Sequence, residues 1–134
     1  MLISEFMSKE LNPLLQGVDF GALETEMSQS DATAKELVVS ECGRFGADLI
    51  QFPAGGKVPL HSHSGSHILI VIGGNGRLLL NEESASLRPG VVYLVPESVE
   101  HEIQAGASGL SLVSVGNFRF PPGSIDRLTL IKTR

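Results

Sequence analysis

The sequence predicts an all-β protein built as a sandwich or a closed barrel, and two observations carry this prediction. From Glu36 onward, short runs rich in aliphatic and β-branched residues alternate with turn segments such as PAGG, GGNG and RPG. These segments recur about every eight to twelve residues, as in sandwiches and barrels, with no strand–helix–strand alternation. No internal repeat or low-complexity linker divides the sequence, so we expect a single domain over residues 1–134.

Length and composition fit one globular domain with its own core. The chain has 134 residues, 42% of them hydrophobic, and a net charge of −5. This charge argues against nucleic-acid binding, and no stretch approaches the roughly 18 apolar residues of a membrane span. The segment MLISEFMSKEL lacks the features of a signal peptide. Together with a lone cysteine, Cys42, expected to be a small buried side chain, this predicts a cytoplasmic protein.

An N-terminal arm, residues 1–26, precedes the predicted barrel. Apolar residues at helix-like intervals, with Ser4 as an N-cap and Gly17 as a stop, predict a short helix, whereas Pro13 favours an irregular arm. The polar segment Met27–Ala34 is predicted to be a loop.

The predicted barrel core covers about residues 36–116. Its predicted strands are Leu37–Glu41, Ala47–Phe52, Lys57–His63, His67–Ile72, Gly76–Leu80, Ser84–Leu87, Val91–Val95, His101–Gln104 and Leu110–Val115. The Gly-rich segments GGNG and AGASG are predicted to be turns between them. A tail, residues 117–134, begins with a predicted loop, because Pro121 and Pro122 exclude a central strand there.

All four histidines fall in two short segments, three in HSHSGSH and the fourth in PESVEH. A neutral imidazole binds transition metals near neutral pH. In a strand, His61 and His63 share one face with Cα atoms about 6.6 Å apart, so both rings can reach one ion. The alternative is that the loop-like SHSGS simply carries exposed histidines. We prefer a metal site, because buried imidazoles need hydrogen-bond or metal partners.

Two segments resemble the motifs of a known family. They are GGKVPLHSHSGSHILIVIGG, which begins at Gly55, and GVVYLVPESVEH, which begins at Gly90. Their spacings resemble the two motifs of the cupin family, G-x5-H-x-H-x3,4-E-x6-G and G-x5-P-x-G-x2-H-x3-N. The first spacing matches as far as Gly74, and the second matches through Pro96 to His101.

The resemblance implies an all-β double-stranded β-helix, a jelly-roll barrel with inward-pointing metal ligands. The implied ligands are His61, His63, His67 and His101. This chain departs from the family where His67 replaces the glutamate, Ser98 the glycine and Ala105 the asparagine. An all-imidazole set is neutral, so a bound Fe, Mn, Ni, Cu or Zn ion keeps its +2 charge, is a stronger Lewis acid and favours anionic substrates.

Coordination number separates the possible functions. Four ligands leave two open positions on a six-coordinate metal, whereas tetrahedral Zn would be closed and structural. The expected function is a metal-binding single-domain cupin, with a mononuclear oxygenase acting on a small organic substrate as the first hypothesis. The alternatives are a metal-dependent lyase, isomerase or cyclase, a metal- or metabolite-sensing module, and a metal-stabilised structural domain. No residue is assigned a catalytic role.

Other site candidates and partners rest on weaker patterns. Alternation places Glu100 and Glu102 opposite His101, so we expect them to face solvent; Tyr93 is expected in the core, and Gln51 is a candidate cavity residue. The expected partners are a small molecule and a second copy of the chain. A homodimer would use the apolar arm or the tail LTLIKT. The apolar arm residues are Phe6, Leu11, Leu14 and Leu15.

Overall fold

The computed structural model describes residues 16–17, 25–26, 30–121 and 129–130. Its strands are β1 (Thr25–Glu26), β2 (Thr33–Val39), β3 (Gly46–Phe52), β4 (Lys57–Ser62), β5 (His67–Leu80), β6 (Glu83–Leu87), β7 (Val92–Val95), β8 (His101–Gly116) and β9 (Thr129–Leu130). Among these residues no helix is long and apolar enough to cross a membrane. The predicted N-terminal helix or arm lies mostly outside the described residues.

The two longest described strands, β5 and β8, pair with each other and with most of the other strands. They pair along almost their whole length, from His67 opposite Gly116 to Leu80 opposite His101. On its other side β8 pairs first with β4 and then with β3, while β5 also pairs with β6 and β7. Every one of these pairings is antiparallel, and the all-β jelly-roll barrel expected from the sequence is confirmed.

The predicted turns GGNG and AGASG are wrong, because the chain continues through both as strand. β5 and β8 shift register near Gly73 and near Gly76 instead of turning back. Gly74 has a φ of 74°, and a Cβ placed on it would meet the carbonyl oxygen of Gly109. These glycines therefore let two backbones pass closely at a bulge, a use that sequence alone does not distinguish from a turn.

The start of β2 and the position of Cys42 also differ from expectation. The predicted loop Met27–Ala34 overlaps β2, which begins at Thr33. Ala34 is completely buried, because so small a side chain fits against the barrel core even in a polar segment. Cys42 is exposed in the connection between β2 and β3, so the expectation that it is buried is wrong.

The hydrophobic core fills the barrel interior. Alternate residues of β5, such as Leu69 and Val71, point inward and are fully buried, as strand periodicity requires. They pack with residues from β3, β4 and β8, and the largest fully buried apolar side chains among the described residues are Leu69, Leu78, Leu87 and Leu112. Within this apolar interior the buried polar side chains are Asp48, His61, His101 and Ser114. The described part of the tail contributes β9, which pairs with β4.

Candidate metal centre

Three of the four histidines meet inside the barrel. His61 and His101 are direct partners in the β4–β8 ladder, and His63 follows the last residue of β4. One ligand nitrogen from each of these three rings lies within 4.8 Å of the others. Metal–nitrogen bonds of about 2.0–2.1 Å hold two nitrogens at most about 4.2 Å apart, so three nitrogens within 4.8 Å of one another lie close to the spacing that one ion requires.

Backbone carbonyls fix the orientation of two of these rings. Nδ1 of His61 lies 2.7 Å from the carbonyl oxygen of Pro59, and Nδ1 of His101 lies 2.8 Å from that of Val99. A carbonyl oxygen only accepts, so Nδ1 of each ring donates the hydrogen bond and Nε2 keeps its lone pair. This arrangement is the one by which outer partners usually orient metal-binding histidines.

His101 is completely buried, and its Nε2 has no hydrogen-bond partner among the described residues. Burial lowers the pKa of this ring to about 4, although the bond to Val99 opposes the shift; a nearby His63 charge lowers it further. The ring is therefore neutral at physiological pH. Leaving such an acceptor unsatisfied costs about 1–3 kcal/mol, which a metal bond would offset. The donor set thus fits a transition-metal ion.

His67 lies beside this cluster at the start of β5. Its ring centroid is 4.6 Å from that of His63 and 5.3 Å from that of His101. Its Nδ1 hydrogen-bonds to Ser114 Oγ at 3.0 Å. The three-nitrogen group contains His61, His63 and His101. The role of His67 as a fourth ligand stays a prediction.

A cavity of about 70 Å³, measured as the space open to the centres of water molecules, adjoins the histidines. His61, His63 and His67 line it together with Ser64, Ser66 and Ser114. The rest of its wall is largely apolar and includes Ile50, Phe52, Val58, Leu69, Ile103, Phe118 and Phe120. A mostly apolar cleft with a few convergent polar groups is typical of a small-molecule site.

A buried ion pair in the cavity wall was missed by the sequence reasoning. Arg119 donates to both carboxylate oxygens of Asp48, at 3.0 and 2.8 Å, and to Glu36 at 3.2 Å. Burial alone would lower the pKa of Arg119, but Asp48 and then Glu36 outweigh it and raise the pKa above its usual value. The available signal was Asp48 itself, because alternation places it on the same face as Ile50 and Phe52.

The weaker candidates lie away from the cavity. Glu97 and Glu100 are exposed, and Glu102 accepts a hydrogen bond from Gln104. Tyr93 packs against the core and donates to the carbonyl of Ser86 at 3.0 Å, which confirms its structural role. Gln51 does not line the cavity, because its neighbours Ile50 and Phe52 occupy the inward positions of β3.

Comparison with solved structures shows the same fold in several proteins. The polyketide cyclase RemF from Streptomyces resistomycificus is 18% identical with a TM-score of 0.71, over 90% of this chain and 88% of that one. KdgF from Halomonas sp. is 17% identical with a TM-score of 0.67, over 77% and 93%. A predicted oxalate decarboxylase from Thermotoga maritima is 18% identical with a TM-score of 0.68, over 78% and 99%.

The sequence itself matches the model of the cupin domain, while no curated protein matches the chain. The match covers residues 48–116, more than half of the 134 residues. It spans β3 to β8 and therefore includes all four histidines. The chain belongs to the cupin domain family.

Proposed function

We propose that this protein binds one divalent transition-metal ion and uses it to transform a small organic molecule. The protein ligands are imidazole nitrogens of His61, His63 and His101, with His67 as the fourth. The observation that carries the proposal is the buried Nε2 of His101, which has no hydrogen-bond partner among the described residues and belongs to a group of three converging imidazoles. A metal partner would satisfy this atom, and the convergence of three imidazoles favours a metal ion over a bound water.

The adjoining cavity favours an enzyme over a structural metal site. A structural zinc site is closed by its four ligands, whereas catalytic sites keep a position open towards a substrate. Here His61, His63 and His67 line a cavity that other side chains leave unfilled. When bound, the ion supplies Lewis acidity that polarises a substrate oxygen. The surrounding apolar wall excludes water and strengthens this electrostatic effect.

An oxygenase using Fe remains the first reaction class, and a redox-neutral reaction is the second. A neutral imidazole set suits Fe, Mn, Ni, Cu and Zn, so the ligands alone do not choose between them. The second class is supported by the shared fold of RemF, which is described as a polyketide cyclase. In both classes His61 and His101 hold the ion, and the apolar wall positions the substrate.

Metal analysis followed by turnover assays tests the proposal. We expect natively purified protein to contain close to one transition-metal ion per chain, and His61→Ala and His101→Ala to lose it. Cys42→Ser is the matched control, because this exposed thiol is a metal-binding group outside the site. Oxygen uptake by Fe(II)-loaded protein, compared with substrate conversion by Ni(II)-loaded protein, separates the two classes. Metal retained in both histidine variants would refute the proposal.

A further inference from the structure

We propose that the ligand of this cavity is a hydrophobic weak oxygen acid, a phenol, catechol or enol that carries one aromatic ring. Its oxygen would bind the metal and its ring would contact the aromatic wall formed by Phe118 and Phe120. This inference rests on the proposed function, because the oxygen of the ligand would bind the proposed metal ion. It goes further by naming the chemical class of the molecule and the residues that select it.

The aromatic wall offers a surface for a ring. Phe118 and Phe120 both line the cavity, with ring centroids 5.9 Å apart and planes at 76°. Phe52 and Ile50 of β3 line the same cavity. Aromatic rings prefer such edge-to-face and offset contacts, which add to the burial of their apolar surface.

Contacts on both sides hold this wall in place. Asn117, which precedes it, accepts a hydrogen bond from the backbone of Ser66 at 2.9 Å and donates its own backbone N–H to Ser66 at 3.2 Å. The guanidinium of Arg44 lies 4.3 Å from the ring centroid of Phe118, and the carbonyl of Arg44 accepts from the backbone of Arg119 at 2.8 Å. A wall ordered in advance loses less conformational freedom when a ligand binds.

The charges in the wall argue against a ligand that carries a permanent charge away from the metal. Among the described lining residues the charged side chains are Asp48 and Arg119, and they pair with each other through two hydrogen bonds. Nη1 of Arg119 is directed at the carbonyl oxygen of Gly43, 3.5 Å away. The Arg119 guanidinium therefore already has its hydrogen-bond partners. A ligand carboxylate that lies away from the metal would be buried without a counter-charge. A phenol or enol would enter uncharged and would need no counter-charge in the wall, and the ion, when bound, would supply positive charge to its oxygen.

The size of the cavity favours a single ring over a fused polycycle. The space open to water centres is about 70 Å³, whereas an apolar cavity of about 150 Å³ holds one benzene molecule. A single ring would therefore extend into the mouth of the cavity, and a fused polycycle would extend well beyond it. The ligand class that we propose is one ring bearing an ionisable oxygen.

Two catechols that share one chelating group test the inference. Calorimetric titration of nickel-loaded protein, without oxygen, would compare 4-methylcatechol with 3,4-dihydroxybenzoate, which differs by a permanent carboxylate; nickel accepts six ligands, so four imidazoles leave two positions for the catechol. We expect 4-methylcatechol to bind at least about tenfold more tightly, because the carboxylate has no free counter-charge in the wall. Equal or tighter binding of 3,4-dihydroxybenzoate would overturn the inference.

Variants of the aromatic wall give a second readout. Phe118→Leu and Phe120→Leu keep an apolar side chain and are expected to weaken 4-methylcatechol binding about threefold to tenfold. Phe45→Leu is the matched control, because Phe45 is 58% exposed and does not line the cavity. Unchanged affinity in both wall variants would refute the role of the wall. Nickel titration without catechol is run first: failure to bind nickel refutes the proposed function, whereas nickel binding without catechol selectivity refutes this inference alone.

Discussion

His61 and His101 lie directly opposite each other on β4 and β8, and their ring centroids are 4.2 Å apart. In both residues Nδ1 donates to the carbonyl two residues earlier in the chain. The same local hydrogen bond therefore orients both rings, although they belong to two different antiparallel strands. Because those strands are distant in sequence, the pair forms only when the barrel closes, and a metal ion bound by both rings would stabilise the closed barrel.

Removal of metal is expected to make stability depend on pH. Burial lowers the pKa of His101 to about 4 from 6.5, so the unfolded chain takes up this proton first as the pH falls. Above pH 6.5 the neutral ring makes its full contribution to the free energy of unfolding. This contribution is lost progressively towards pH 4, by about 3 kcal/mol in total. Urea unfolding of chelator-treated protein across this range measures the loss.

The variant His101→Gln identifies the source of this dependence. It has no titratable ring at this position, so its free energy of unfolding should fall less steeply with acidification than that of the wild type. An equal slope in both proteins would show that His101 does not carry the effect.

Breaking the buried ion pair should destabilise the fold strongly. Arg119 and Asp48 side chains are 6% and 4% exposed, so Asp48→Asn leaves a buried guanidinium without its main counter-charge. We expect a loss of about 3–5 kcal/mol in the free energy of unfolding. Glu36→Gln is the control, because the Glu36 side chain is 46% exposed and its removal should cost less than about 1 kcal/mol. Similar losses in the two variants would contradict this assignment.

Self-association is expected through the outer face of β5 and β7. Ile68 and Leu94 are paired across these strands and are 39% and 66% exposed, and Ile72 and Val92 are exposed beside them. β7 pairs only with β5 among the described strands, so its other edge is available. We expect light scattering to show a dimer and Leu94→Asp to show a monomer. A wild-type monomer at micromolar concentration would refute this prediction.

Strand periodicity and motif spacing predicted most of the barrel and the meeting of the histidines. His61 and His101 are confirmed as neighbours because the family motif carries information about strands that are distant in sequence. The continuity of β5 and β8 was not predicted, since Gly74 serves a close approach of backbones instead of a turn. The exposure of Cys42 was missed because residue type alone gives only an average tendency to be buried.

The residues that form the cavity wall could not be predicted from the sequence either. Arg119 lies after β8, and nothing in FRFPPGS identifies Asp48 as its partner. The position of Phe118 depends on contacts with Arg44 and with the backbone around Ser66, which are known only once the fold is known. Sequence thus predicted the candidate ligands, whereas the apolar environment that selects a substrate required the structure.

X-ray absorption at the nickel edge of nickel-loaded protein tests the central claim most directly. We expect one nickel per chain bound by four imidazoles, with oxygen ligands from water in its remaining positions, and the number of imidazoles should fall to three in His67→Ala, because His67 is the predicted fourth ligand. Three imidazoles in both proteins would remove His67 from the ligand set and keep the other three. Fewer than three imidazoles in the wild type, or a sulfur ligand from Cys42, would contradict the metal centre described here.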